Sequence, residues 1–184
     1  ESLKMTVNLA MAYHQLEDYQ RSDSLYDFVY AKYLDKLGPS NDYTVGLLYN
    51  MANAKLSQGL PKEGIDYLEK VLEADIQNLG AEHPYVAGDY LSIGDANEMM
   101  GKYEEALSLY DKSLKIYKKA FGEKHRRIGQ VYALIGKLYH NTANYKKSLD
   151  YYNSSLEIYE ELLGTTHKEY LKTLEAKKEV EAAM

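Results

Sequence analysis

The stretch Leu79-Gly80-Ala81-Glu82-His83-Pro84 decides the fold, because it ends one amphipathic segment and begins another. Its Leu-Gly pair has equivalents at Leu37-Gly38, Phe121-Gly122 and Leu163-Gly164, and successive pairs lie 42 residues apart. A glycine directly after an apolar-periodic segment is typical of a helix C-terminus, where the backbone adopts a positive φ. The spacing therefore predicts a chain of equivalent repeats, each closed by a helix stop.

Each repeat contains two segments with helical periodicity, joined by a short turn. Apolar residues recur every three to four positions, as in the segments that begin at Tyr90 and Tyr103. Asp18 and Asn144 suit helix N-caps, and Pro61 suits a first helical turn. Such short turns make neighbouring helices antiparallel. The predicted helices span about 3–16, 19–36, 44–58, 61–78, 86–100, 103–120, 128–142 and 145–162, with a last helix from about 169.

Small and large residues occupy fixed columns of the repeat. A small residue on the first helix lets the second helix approach closely, and a large residue opposite fills the contact. Because one helix pair cannot bury its apolar face alone, each repeat is expected to cover its neighbour as the array grows into a superhelix. The small column is Ala10, Ala52, Gly94 and Gly136, and the large column is Tyr26, Leu68, Tyr110 and Tyr152.

Three local patterns carry a resemblance to a known family. The segments Asn8-Leu9-Ala10 with Tyr13, Gly101 to Ala106, and Leu79 to Pro84 resemble the tetratricopeptide repeat, in the 42-residue form of kinesin light chains and nephrocystin-like proteins. The resemblance implies an all-α fold, a right-handed α-solenoid of four helix-turn-helix repeats with a C-terminal capping helix. We expect one domain over residues 1–184, with repeats at about 2–43, 44–85, 86–127 and 128–169 and the cap at 170–184.

Composition narrows the classes of function. The net charge of −6 and the pI near 5.4 oppose attraction to phosphate backbones, so nucleic acid is not an expected partner. The N-terminus lacks the order of a signal peptide, and no apolar run approaches the roughly 18 residues of a membrane span. The absence of Cys favours a reducing compartment, and we expect a cytoplasmic protein without a membrane partner. Because residue 1 is Glu inside a helical pattern, we also expect a piece of a larger protein.

The first helix of each repeat lines a concave groove in the family that the chain resembles. In the first repeat, Leu9, Ala10 and Tyr13 are expected to face the partner helix, so the opposite side of the helix is exposed. Adding 42 gives the equivalents, and Gly46, Ser57, Gly88 and Ser92 complete this face. The predicted peptide-binding residues are Lys4, Asn8, Met11, Gln15, Asn50, Asn53, Asp95, Met99, Gln130, Leu134, Lys137 and Asn141.

The chemistry of this face favours a peptide ligand. Many of its residues are carboxamides, which offer a hydrogen-bond donor and an acceptor together, as the backbone of an extended peptide does. Met11, Met99 and Leu134 offer apolar contacts. We therefore predict a protein-protein interaction scaffold that binds an extended peptide or a short helix of another protein. A plain solvated face that tolerates amides is the alternative.

Other signals point away from an enzyme. His83, His125 and His167 share one column, but packed helices lie about 8 to 10 Å apart, whereas two ligands of one zinc ion lie within about 4 Å. These histidines are therefore expected to bond the start of the next helix, and no metal site is predicted. The sequence shows no nucleophile arrangement, phosphate loop or cofactor motif, so we expect no cofactor and no catalytic residues.

Two further hypotheses stay open at this stage. A basic cluster near the turn after the third repeat suits an acidic partner or a phosphate, although a charge run at a turn is usually solvated. The chain also fits a sensory or autoinhibitory domain that regulates an effector elsewhere in a larger signalling protein. The basic cluster consists of Lys118, Lys119, Lys124, Arg126 and Arg127.

Overall fold

The computed structural model describes residues 2–184, and within this range the secondary structure consists of nine α-helices without a β-strand. The all-α class is confirmed, and each predicted helix boundary lies within two residues of the observed one. No helix in the described range is long and apolar enough to cross a membrane. The helices are α1 (Ser2–Gln15), α2 (Tyr19–Leu37), α3 (Asp42–Ser57), α4 (Pro61–Leu79), α5 (Pro84–Met99), α6 (Tyr103–Phe121), α7 (Arg126–Asn141), α8 (Tyr145–Leu163) and α9 (Lys168–Ala182).

The packing divides the chain into two compact units with a boundary between Ala81 and Glu82. In unit 1, α1 packs on α2, α3 packs on α4, and α2 also contacts α3. In unit 2, α5 packs on α6 and α7 on α8, α6 also contacts α7, and α9 covers α8. The helix-turn-helix repeats are thus confirmed within each unit, and the C-terminal helix is confirmed in unit 2. A single domain over residues 1–184 stays a prediction.

Helix stops lie where the Leu-Gly spacing predicts them. The glycine after each second helix has a positive φ, which a residue without a Cβ adopts at little cost. Its backbone N–H donates to a carbonyl of the last helical turn. These glycines are Gly38, Gly80, Gly122 and Gly164, with φ of 84°, 90°, 80° and 81°.

The histidine column starts helices, as predicted. The Nδ1 atoms of His83, His125 and His167 accept hydrogen bonds at 3.2, 3.2 and 3.3 Å from the backbone N–H two residues onward. Asn41 does the same for α3, with 3.0 Å between Oδ1 and the Tyr43 nitrogen. Each side chain pairs a donor that the first helical turn cannot satisfy itself. The column is therefore a set of N-caps.

Close helix contacts use the predicted small residues. A Cβ added at Gly94 would lie 2.5 Å from Cε1 of Tyr110, and one at Gly136 would lie 2.9 Å from Cδ1 of Tyr152. A Cβ at either position would therefore require the ring or the helix backbone to shift. The core of unit 2 is built around Tyr110, and that of unit 1 around Tyr26 and Met51.

Candidate functional site

The predicted peptide-binding residues lie on the four first helices, and none of them is fully buried. Most are exposed, while Asn50, Asp95 and Leu134 are half-buried. The helical geometry used to choose them was wrong for Leu9, which was expected to face the partner helix but is 48% exposed. Their part in binding stays a prediction. The exposed residues are Lys4, Asn8, Met11 and Gln15 on α1, Asn53 on α3, Met99 on α5, and Gln130, Lys137 and Asn141 on α7.

In unit 1, the face formed by α1 and α3 carries carboxamides that the fold does not use. Within residues 2–184, the side chains of Asn8, Gln15, Asn50 and Asn53 make no hydrogen bond or ion pair. A Cβ added at Gly46, one turn before Asn50, would meet nothing within 4 Å. This face therefore presents unpaired donors and acceptors beside open space.

The edges of the same face are held by contacts between the two first helices. Nε2 of His14 lies 2.7 Å from Oγ of Ser57 at the C-terminal ends of α1 and α3. At the other end, the ammonium group of Lys4 lies 4.9 Å from the centre of the Tyr43 ring. A cation over an aromatic face is attracted by the ring quadrupole. These two contacts link α1 to α3 near both ends of the helices.

In unit 2, the face formed by α5 and α7 is used more heavily by the fold. Gln130 Oε1 accepts a hydrogen bond of 3.1 Å from Nη1 of Arg127. Leu134 packs against the core, whereas the Met99 side chain is 54% exposed. Ser92 Oγ donates to the Gly88 carbonyl at 3.2 Å. The open chemistry on this side is therefore apolar rather than amide.

A polar cluster of five residues, Asp95, Glu98, Tyr110, Lys137 and Asn141, lies beneath the unit 2 face. The Tyr110 hydroxyl lies 2.6 Å from Oδ1 of Asp95 and 3.1 Å from Oε2 of Glu98. Glu98 Oε1 pairs with Nζ of Lys137 at 2.8 Å and accepts from Nδ2 of Asn141 at 2.9 Å. Two predicted ligand contacts, Lys137 and Asn141, thus have partners inside the protein.

Burial governs the electrostatics of this cluster. It raises the pKa of Asp95; the nearby charge of Glu98 also raises this pKa, while the Tyr110 hydrogen bond and the Lys137 charge lower it. Burial and the two carboxylates hold the pKa of Tyr110 far above its usual range. Burial, with smaller contributions from the charges of Glu179 and Glu98, raises the pKa of Tyr152 to about 12. A charge placed here is poorly solvated.

Sequence reasoning missed Glu98, although it joins three helices. Its position is equivalent to that of His14, and each bonds a residue 43 positions later, Asn141 or Ser57. The available signal was its spacing of three residues from Asp95, which puts both carboxyl groups on one helix face. Burial of Glu98, which is 8% exposed, is a tertiary property that this spacing does not reveal.

The basic cluster at the turn before α7 is engaged within unit 2. The guanidinium of Arg126 forks onto Glu169, with Nε donating to the two carboxylate oxygens at 2.8 and 3.0 Å. Equivalent positions carry opposite charges in successive repeats, because Glu82 pairs with Lys119 whereas Lys124 pairs with Glu161. The cluster thus ties neighbouring repeats together. In addition, Lys118 pairs with Glu123 and lies over the Tyr132 ring, and Arg127 donates to Gln130.

Comparison with solved structures identifies the same fold. A kinesin light chain candidate of Podosopora anserina with nearly identical TPR-like repeats has a TM-score of 0.80 at 19% identity, over 99% of this chain and 86% of that chain. The apo form of RapI has a TM-score of 0.80 at 20% identity, over 100% and 64%. Aspartyl phosphate phosphatase F of Bacillus subtilis has a TM-score of 0.77 at 13% identity, over 98% and 49%.

Sequence comparison identifies the family. No curated protein sequence matches the chain significantly. A family model described as Tetratricopeptide repeat matches residues 43–119 and 89–161. These matches extend over more than half of the 184 residues and include helices of both units. The chain therefore belongs to the tetratricopeptide repeat family.

Proposed function

We propose that this chain holds an extended peptide, or one short helix, of a partner protein on the exposed faces of its first helices. Membership of the tetratricopeptide repeat family supports a protein-interaction scaffold in general. The observation that carries the finer proposal is the row of unpaired carboxamides on the unit 1 face. Asn8 and Gln15 on α1 and Asn50 and Asn53 on α3 form this row.

The row suits a peptide backbone because of its hydrogen-bonding chemistry. Each carboxamide offers two N–H donors and a carbonyl acceptor. Each residue of an extended backbone offers one N–H donor and one carbonyl acceptor. Main-chain bonds supply affinity in such complexes, while pockets for side chains supply specificity. Gly46 leaves room for a backbone to approach Asn50 closely. We therefore expect the carboxamides to bind the backbone of an extended peptide with little dependence on its sequence.

The unit 2 face adds a different kind of contact. Lys137 and Asn141 are engaged with Glu98, so α7 offers fewer unpaired polar groups than α1 or α3. The exposed side chain of Met99 suits an apolar ligand residue, since the thioether adapts to varied shapes. Taken each by itself, the unit 1 face suits a peptide backbone and the unit 2 face suits an apolar residue.

The test separates binding from stability. A peptide is selected against the chain from a randomised display library, and its affinity is measured by calorimetry for the wild type and for Asn50→Ala with Asn53→Ala. Losing two backbone hydrogen bonds should weaken binding at least tenfold, which corresponds to about 1.4 kcal/mol. Because these side chains have no internal partners, the free energy of unfolding should change by less than about 0.5 kcal/mol.

The control removes two amides from second helices. Gln20 on α2 and Asn153 on α8 are exposed, and Gln20→Ala with Asn153→Ala should leave affinity unchanged. The proposal fails if the control variant loses the peptide while the double variant of Asn50 and Asn53 keeps it. It also fails if the library yields no peptide that binds the folded chain.

A regulatory role within a larger protein is the second candidate. RapI and aspartyl phosphate phosphatase F each contain residues beyond the part that superposes on this chain, which covers 64% and 49% of their lengths. A repeat array in such a setting can act on a neighbouring effector rather than on a separate partner. An effector domain in the same gene whose activity changes when residues 1–184 are deleted would favour this candidate.

A further inference from the structure

The Tyr110 hydroxyl lies between two carboxyl groups of one helix face. Asp95 and Glu98 lie one turn apart on α5, with oxygens 2.6 and 3.1 Å from the phenolic oxygen. Tyr110 is fully buried and Glu98 is 8% exposed, so solvent does little to separate these groups. Because a phenol has only one hydrogen to donate, the Tyr110 hydroxyl cannot donate fully to both carboxyl groups.

Two ionised carboxylates do not fit this arrangement. The single hydrogen of Tyr110 can be donated fully to only one of them, and the other would face the phenolic oxygen with lone pairs opposed. Such a contact is costly where the local dielectric is low. A negative charge on one of the two carboxyl groups also disfavours ionisation of the other. If either carboxyl group keeps a proton, it can donate to the phenolic oxygen, so the lone pairs are no longer opposed. The repulsion between two negative charges is then also removed.

The partners of the two carboxyl groups decide where that proton lies. Glu98 has the ammonium of Lys137 at 2.8 Å and the amide of Asn141 at 2.9 Å, both of which stabilise its ionised form. Within residues 2–184, the one hydrogen-bond partner of the Asp95 side chain is Tyr110. The proton therefore belongs on Asp95, the member of the pair without a cationic hydrogen-bond partner.

We propose that Asp95 retains a proton in the folded chain, and that Asp95, Tyr110 and Glu98 form one directed hydrogen-bond chain. The Asp95 carboxyl donates to the phenolic oxygen, the Tyr110 hydroxyl donates to Oε2 of Glu98, and Lys137 and Asn141 donate to Oε1. The chain of hydrogen bonds is a pH-sensitive latch that joins α5 to α6 and α7. Every member is satisfied only while the proton stays.

Burial outweighs the neighbouring groups that oppose this placement, because the pKa of Asp95 is raised although the Tyr110 hydrogen bond and the Lys137 charge lower it. The groups that act on Asp95 are Tyr110 and Glu98, which accompany it in the latch, and Lys137 on α7, whose charge is already paired with Glu98. On the other packed helices, the charge of Glu179 on α9 acts on Tyr152 of α8, and neither of these two groups shifts the pKa of Asp95. Burial raises the pKa of Asp95, which has the direction that a retained proton requires.

The latch also bears on ligand chemistry, and this part rests on the proposed function. With Asp95 neutral and Glu98 paired with Lys137, the polar cluster carries no net charge. The unit 2 face then suits an uncharged segment of a ligand rather than a basic one. Loss of the proton would leave an unpaired negative charge beneath that face.

The sign of the stability effect follows from linkage. Because the pKa of Asp95 is raised on folding, the folded state binds more protons than the unfolded state between the two pKa values. The stabilisation is complete below the unfolded pKa and is lost as the pH rises towards the folded pKa. Asp95→Asn mimics the protonated form, because its amide can donate to the phenolic oxygen.

Two measurements test the latch without any ligand. The first is a carbon-13 NMR titration of the Asp95 carboxyl group, assigned with Asp95→Asn, which should show ionisation at a higher pH than in an unfolded peptide of the same local sequence. The second compares melting temperatures from about pH 3 to pH 8. The melting temperature of Asp95→Asn should rise relative to that of the wild type as the pH rises. The total gain should be about 3 to 5 °C for each tenfold by which the folded chain binds the Asp95 proton more tightly than the unfolded chain.

Matched variants complete the test. Asp150→Asn changes an exposed aspartate on α8 and should follow the wild type at every pH. Tyr110→Phe keeps the ring and removes the donor, so it should destabilise most where both carboxyl groups are ionised. The latch is refuted if Asp95 titrates at or below the pH found in the peptide, or if the gain of Asp95→Asn does not depend on pH. Neither result touches peptide binding, so failure here and failure of the proposed function are distinguishable.

Discussion

Replacing Gly94 by Ala tests whether a glycine is what lets α5 and α6 pack closely. The added Cβ would lie 2.5 Å from Cε1 and 2.8 Å from Cδ1 of the Tyr110 ring. Carbon atoms prefer separations of about 3.5 to 4.0 Å, so the ring or the helix must move by about 1 Å. The ring is fully buried, and its hydroxyl is held by Asp95 and Glu98. Moving the ring would therefore disturb its packing and these two hydrogen bonds.

The expected magnitude has two opposing parts. Overpacking a well-packed core typically costs about 1 to 3 kcal/mol, whereas alanine is better than glycine in a helix by about 0.8 to 1.0 kcal/mol. Gly88 on the same helix separates the two, because a Cβ there would be 3.6 Å from the Tyr117 hydroxyl, an ordinary contact. Subtracting the effect of Gly88→Ala from that of Gly94→Ala removes the helix preference and leaves a loss of about 1 to 3 kcal/mol.

Thermal melts and urea titrations measure this difference. For a chain of this size, about 1 to 3 kcal/mol corresponds to a gap of about 2 to 12 °C in melting temperature between the two variants. Equal stability of Gly94→Ala and Gly88→Ala would refute the packing argument. The gap should also shrink in the background of Tyr110→Leu, because the equivalent pair in the second repeat is Ala52 with Leu68, both fully buried.

Two further predictions concern helix starts and acid stability. His83→Ala should lower the free energy of unfolding in urea by about 1 kcal/mol, as removal of an N-cap does. His83→Asn should lower it less, because Asn41 caps α3 with φ −76° and ψ 141°, close to the −74° and 143° of His83. Equal losses in the two variants would contradict the capping role. Arg126 lowers the pKa of Glu169 through their hydrogen bonds, so this pair stabilises the fold above the unfolded pKa of Glu169 and ceases to do so as the pH falls through the folded pKa. Arg126→Ala should therefore shrink the fall in melting temperature on acidification, while a change at the exposed Lys146 should not; an unchanged fall in the Arg126 variant would count against the pair.

The candidate site was predictable only in part. The exposure of a residue follows from its position on its own helix, whereas its hydrogen-bond partners depend on how neighbouring helices pack. Asn8, Asn53 and Met99 were placed on exposed faces correctly, since helical rotation alone assigns a residue to a side of its helix. Asn141 was placed on the same face but donates to Glu98, a partner 43 residues away. No local pattern states which neighbouring helix will bring a carboxylate within hydrogen-bond distance.

The sequence by itself determined the repeats, the helix boundaries and the caps, because these depend on interactions within a few residues. A positive φ after each second helix, or a histidine nitrogen bonding the N–H two residues onward, needs no distant partner. The tertiary structure alone decided the polar cluster around Tyr110 and the pairing of the basic cluster. The Glu98 carboxyl group becomes buried only when α6 and α7 pack on α5, because burial depends on what surrounds a residue in space and not on its neighbours along the chain.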